Sequence, residues 1–122
     1  MELEKKVFAA SPENFNELAL DLFRYQYEHN KVYRQYCDAL KVDTEKVYLI
    51  EKIPFLPISF FKTQVIKTTE FETDIIFESS GTSQTGSSKH YIKDISLYRE
   101  SFTSCFEKFY GPPKYKCILG LL

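Results

Sequence analysis

Glu78-Ser79-Ser80-Gly81-Thr82-Ser83-Gln84-Thr85-Gly86-Ser87-Ser88-Lys89-His90 is the stretch whose reading decides the rest of the chain. Nine of its thirteen residues are Ser, Thr or Gly, and the short apolar run Asp74-Ile75-Ile76-Phe77-Glu78 leads into it as a strand. A loop of this composition suits a polyphosphate. Glycines let the backbone approach an anion closely, hydroxyls add donors, and a lysine adds positive charge.

On its C-terminal side, Asp94 or Ser96 can cap a helix in which Leu97, Tyr98, Ser101, Phe102, Cys105, Phe106 and Phe109 keep helical spacing. Gly111 and the pair Pro112-Pro113 stop it. Tyr115-Lys116-Cys117-Ile118-Leu119-Gly120-Leu121-Leu122 reads as a buried strand. The order strand, polar loop, helix, strand predicts a βαβ unit with parallel strands and a right-handed crossover. Termini usually lie at the surface, so an apolar strand at Leu122 is the pattern expected of an N-terminal part of a larger fold. An interrupted sheet would also leave apolar surface open to self-association.

On the N-terminal side the pattern is helical. Ser11-Pro12-Glu13 is a helix-start signal, and Phe15, Leu18, Ala19, Leu22, Phe23 and Gln26 or Tyr27 form one apolar stripe running to about His29. After Asn30, the set Val32, Tyr33, Tyr36, Cys37 and Leu40 predicts a second helix. Between Val47 and Ile66, Pro54 and Pro57 bracket Phe55-Leu56 and predict an extended crossing packed on the body, followed by a β-rich segment over Thr63 to Thr69. The expected organisation is one α/β unit over 1–122: residues 1–45 helical, residues 46–122 the start of a mostly parallel sheet with the phosphate loop at 79–89.

Composition narrows the partners. The chain is 43% hydrophobic and 16% aromatic over 122 residues, ample for a core, and 16 Lys plus Arg against 17 Asp plus Glu leave no basic surplus for nucleic acid or anionic lipid. The opening Met1-Glu2-Leu3-Glu4-Lys5-Lys6 lacks a signal-peptide core, and no apolar run has bilayer length, which predicts a cytoplasmic protein. Cys37, Cys105 and Cys117 are an odd set without a Cys-x-x-Cys pair, the pattern of buried free thiols.

Three identities compete for the loop. Gly81 and Gly86 have the spacing of a Walker-type P-loop, but Ser87 stands where its lysine belongs and Lys89 falls two residues late. A ligand-free serine-rich turn is the second. The third is a resemblance. Ser80-Gly81-Thr82-Ser83 and Gly86-Ser87-Ser88-Lys89 resemble the two halves of the phosphate-binding signature of adenylate-forming enzymes, with two extra residues between the glycines and Ser88 in place of a proline. Ile53-Pro54-Phe55-Leu56-Pro57-Ile58-Ser59-Phe60-Phe61-Lys62 resembles the stretch that precedes this loop in LuxE-type acyl-protein synthetases.

That resemblance implies an N-terminal part of an ATP- and Mg2+-dependent ligase that turns a carboxylate, typically a fatty acid, into an acyl-adenylate and passes the acyl group to a thiol. It implies phosphate contacts from the hydroxyls of Ser79, Ser80, Thr82, Ser83 and Thr85, from the backbone at Gly81 and Gly86, and from the charge of Lys89. The adenine pocket, the metal-binding acid and the acyl-carrying cysteine of the family would lie beyond residue 122, so none of the three cysteines inherits that role. The rival expectation is a small non-catalytic binding or regulatory module.

Overall fold

The computed structural model describes residues 2–80 and 86–117. Their order is helix α1 (Glu2–Phe8), α2 (Phe15–His29), α3 (Lys31–Ala39), a one-turn α4 (Phe60–Thr63), strands β1 (Ile75–Glu78) and β2 (Lys89–Ile92), and helix α5 (Ile95–Tyr110). Short 3-10 turns lie at Thr44–Lys46, Ile50–Lys52 and Pro113–Tyr115.

The α2 and α3 stripes fold as their periodicity dictates, and one residue joins them. Asn30 is buried and extended, and its N–H caps α2 by donating to the Gln26 carbonyl at 2.8 Å. Its side-chain oxygen accepts from the Tyr33 N–H at 3.1 Å and so caps α3. Its amide nitrogen donates to Thr68 Oγ1 at 3.3 Å, which pins the Lys67–Thr69 stretch to the helical pair. Helix α3 ends in a Schellman turn: Lys41 takes φ 55°, Lys41 N–H donates to Asp38 O and Val42 N–H to Cys37 O.

The core belongs to this half. Phe23, Tyr33, Cys37 and Val47 are buried together, with Leu20, Tyr27, Tyr36, Val42, Ile53 and Leu56 packed around them. Phe23 and Tyr33 meet edge to face at 6.2 Å, and the Tyr33 hydroxyl donates to the Pro54 carbonyl at 2.7 Å. Pro54 thus ends on the core, as a packed crossing requires, whereas Phe55 and Ile58 are largely exposed.

Several expectations change. Ser11 does not cap α2: Asn14 holds that position and spends its side chain backwards, accepting from Ser11 N–H at 2.8 Å and donating to Ala9 O at 3.1 Å. Thr63 to Thr69 is irregular rather than β-rich, because Thr63 closes α4 and Thr69 sits at φ 67° with its N–H donating to His29 O. Among the described residues the sheet has two strands, antiparallel, with Ile75 opposite Ile92 and Glu78 opposite Lys89. The α/β class stands coarsely, in a helix-rich form, but the mostly parallel sheet and the βαβ unit are not seen among the described residues. The physical reason is Lys89-His90-Tyr91-Ile92, which pairs back onto β1 and interposes a strand between loop and helix. Tyr115 ends a 3-10 turn instead of starting a strand, and the strand expected over 118–122 lies outside the described residues.

Helix α5 starts and stops where expected. Asp94 caps it by accepting from Ser96 N–H at 2.8 Å, and Gly111, at φ 76°, supplies the left-handed exit. None of its residues is buried, and Leu97, Tyr98, Phe102, Phe109 and Tyr110 remain open. Cys37 is the buried thiol, while Cys105 and Cys117 are exposed, against the expectation for all three. No helix among the described residues is long and apolar enough to cross a membrane.

Candidate phosphate-binding hairpin

The loop lies between β1 and β2 of the hairpin, whose neck is defined by five residues. Ser79 N–H donates to the Ser88 carbonyl at 3.1 Å, and Ser88 N–H returns a bond to Ser79 Oγ at 2.9 Å. Ser88 is buried although it lies in a polar loop. One step down the ladder, Glu78 faces Lys89, with Nζ 3.6 Å from Oε1, and Ser87 Oγ lies 3.3 Å from the other carboxylate oxygen. Both charged side chains are about half exposed, so the ion pair is a weak one that an incoming anion can exchange.

Of the residues expected to contact phosphate, Ser79, Ser80, Gly86 and Lys89 are described. The structure brings Ser79 and Lys89 to the same end of the hairpin, on opposite strands. Gly86 sits at φ 83°, where a side chain would be strained whatever the space around it. Gly81, Thr82, Ser83 and Thr85 lie outside the described residues. The loop leaves a strand and returns to a strand, so a Walker-type arrangement, which opens a helix after its lysine, does not fit.

Pleating sorts the hairpin into two faces. Phe77 and His90 are directly opposite each other on one face. There His90 stacks on Phe61 of α4 at 4.6 Å and 24°, while Phe77 meets Tyr98 of α5 at 4.8 Å, and Tyr98 continues to Phe102 at 5.5 Å. On the other face Tyr91 receives Lys67, whose Nζ lies 5.3 Å from that ring, 4.7 Å from the Phe71 ring and 3.2 Å from the Phe71 carbonyl. Asp74 Oδ2 accepts from Ile95 N–H at 3.2 Å and joins the open end of the hairpin to α5. A polar depression lined by Glu72, Thr73, Asp74 and Lys93 lies at that open end, and its two carboxylates are the wrong sign for a polyphosphate.

Sequence reasoning missed Ser88 as a structural partner of Ser79, and it read Phe61 and His90 separately. The sequence carries no clear signal for it, because Ser88-Lys89-His90 are polar in succession and lack the apolar-polar alternation of a half-buried strand. Among the described residues no group of three or more His, Cys, Asp or Glu side chains is placed to hold a metal ion.

Comparison with known proteins identifies the family. The family model described as "Acyl-protein synthetase, LuxE" matches residues 5–106, from α1 through the hairpin into α5. The chain is 45% identical over 67 residues to the "Long-chain-fatty-acid--luciferin-component ligase" of Photorhabdus luminescens, a match covering 54% of this chain and 57% of that protein. It is 32% identical over 92 residues to the protein of the same name from Vibrio harveyi, covering 67% of this chain and 24% of that protein. The chain therefore spans little more than half of one relative and about a quarter of the other. No solved structure matches it.

Proposed function

Because the chain belongs to the LuxE acyl-protein synthetase family, we propose that its hairpin is the ATP-phosphate loop of a carboxylate-activating ligase. The carboxylate attacks the α-phosphorus of ATP, the acyl-adenylate forms, pyrophosphate leaves, and a thiol then takes the acyl group and releases AMP. The relatives' name supports a long-chain fatty acid as the carboxylate. The observation that carries the proposal is the neck: two strands converge through Ser79 and Ser88, with Lys89 beside them, under a loop of hydroxyls and glycines.

The chemistry asks for charge management at the leaving pyrophosphate, and donors fixed before the reaction supply it without reorganisation. Lys89 trades its weak pair with Glu78 for a phosphate oxygen. The hydroxyls of Ser80, Thr82, Ser83 and Thr85 and the backbone at Gly81 and Gly86 donate from the loop. Ser79 keeps its hydroxyl on Ser88 and acts by shaping the neck. Mg2+ fits as a companion of the triphosphate, because it usually retains waters and phosphate oxygens and asks for few protein ligands. A cytoplasmic setting follows from the nucleotide substrate.

Residues 1–122 alone are expected to release no pyrophosphate, and the complete enzyme is expected to catalyse carboxylate-dependent ATP–pyrophosphate exchange. A panel of carboxylic acids of different chain length tests this. Exchange that depends on a long-chain acid supports the proposal, and exchange with no acid of the panel refutes it.

A further inference from the structure

The hairpin has little core of its own, and something must hold it against the body. From the geometry we infer that His90 is a positioning residue, whose ring stack on Phe61 sets the hairpin relative to the helical core; its functional consequence rests on the phosphate-loop proposal above. His90 follows Lys89 directly and lies two residues beyond Ser88, so whatever fixes its ring fixes the strand that carries both. The stack is near parallel, 24° between planes at 4.6 Å. It is half of a two-sided hold, since Lys67 grips Tyr91 from the opposite face.

Aromatic contacts lie on either side, linked to this one through the chain at Phe60-Phe61 and through the ladder pair Phe77 and His90. Tyr36 of α3 meets the α4 residue Phe60 at 5.7 Å, next to Phe61. Across the ladder from His90, Phe77 hands on to Tyr98 of α5. These contacts, from Tyr36 at the edge of the α2–α3 core to Tyr98 of α5, meet the hairpin at His90 and its ladder partner Phe77. A histidine in this place needs only its flat face. No proton transfer is asked of it, which separates the role from that of an acid or base.

Amide exchange in the chain tests the hold directly. Replacing His90 by Leu, or Phe61 by Leu, is expected to speed exchange of the Ser88 N–H by roughly three- to tenfold, the range of one aromatic pair. The Asn30 N–H, in the helical half, is expected to stay slow, and His90→Phe is expected to restore the Ser88 rate. An unchanged Ser88 rate in His90→Leu overturns the inference. So does equal acceleration at Asn30, which would make the stack a support of the whole body, or a His90→Phe variant as fast as His90→Leu. In the complete enzyme, His90→Leu is expected to raise the KM for pyrophosphate more than it lowers kcat, and His90→Phe to reverse it. A lowered kcat that Phe does not rescue would mark an acid or base instead. If the wild-type enzyme shows no exchange at all, the adenylation proposal fails while the amide rates still decide whether the stack positions the hairpin.

Discussion

Ser79 and Ser88 hold each other twice across the hairpin neck, backbone to backbone at 3.1 Å and backbone to hydroxyl at 2.9 Å. The second bond satisfies the N–H of a buried residue, so removing its acceptor leaves that donor bare. Ser79→Ala is expected to cost about 1 kcal/mol locally, seen as faster exchange of the Ser88 amide. Ser79→Thr, which keeps an acceptor, is expected to exchange like wild type. Equal rates in wild type and Ser79→Ala would remove the neck from the account.

Lys89 begins with a partner in Glu78, and the pair is exposed enough to be worth little for stability. Glu78→Gln is therefore expected to leave the melting temperature nearly unchanged. It releases Lys89 for phosphate, so the complete enzyme should bind ATP several-fold more tightly, and Lys89→Ala several-fold more weakly. ATP affinity by titration calorimetry checks both, provided Mg2+ is held constant. Weaker binding in Glu78→Gln would show that the carboxylate serves the metal or the loop rather than competing for the lysine.

The three thiols should differ sharply. Cys37 is fully buried and burial pushes its thiol up, so it is protected twice, whereas Cys105 and Cys117 are exposed. A thiol reagent at neutral pH is expected to modify two cysteines quickly and the third only on unfolding. Rapid modification of all three would mean that the α2–α3 core opens readily.

Helix α5 depends on its cap. The Ser96 side chain and N–H hold the Asp94 carboxyl below the usual aspartate range. A lowered native value means that the stabilisation is present above the ordinary carboxylate range and is lost as pH falls through that native value. Circular dichroism of wild type should therefore lose helix on acidification in a way that Asp94→Asn does not, since asparagine caps without titrating. Identical acid profiles would deny Asp94 the linkage.

The open face of α5 predicts association. Phe102 and Phe109 are 53% and 77% exposed on a helix with no buried residue. Light scattering on residues 1–122 is expected to show mass rising with concentration, and Phe102→Glu with Phe109→Glu to suppress the rise. A concentration-independent monomer would count against an exposed adhesive face.

The helices were legible because their signals are local. The stripes of α2 and α3, the Asp94 cap and the Gly111 exit can each be read from spacing within a few turns. The α2 start was misread for an equally local reason, since Asn14 bonds backwards to Ser11 and Ala9 and displaces the Ser11-Pro12 signal. Strand pairing is not local. Lys89 to Ile92 carries no clear strand pattern of its own, and only its register with Ile75 to Glu78 turns a presumed strand-loop-helix into a hairpin. The composition of the loop pointed to phosphate without reference to that topology. For the same reason, Phe61 and His90 could not be paired from a sequence that separates them by the whole loop.

The most direct test of the central claim is ATP–pyrophosphate exchange by the complete enzyme with a long-chain fatty acid, comparing wild type with Gly81→Ala, Thr82→Ala and Lys89→Ala. The account predicts acid-dependent exchange in wild type and a loss of tenfold or more in each variant, on the order of 1.4 kcal/mol of transition-state stabilisation or greater. Exchange that proceeds undiminished in all three variants would show that the phosphates bind elsewhere and would contradict it.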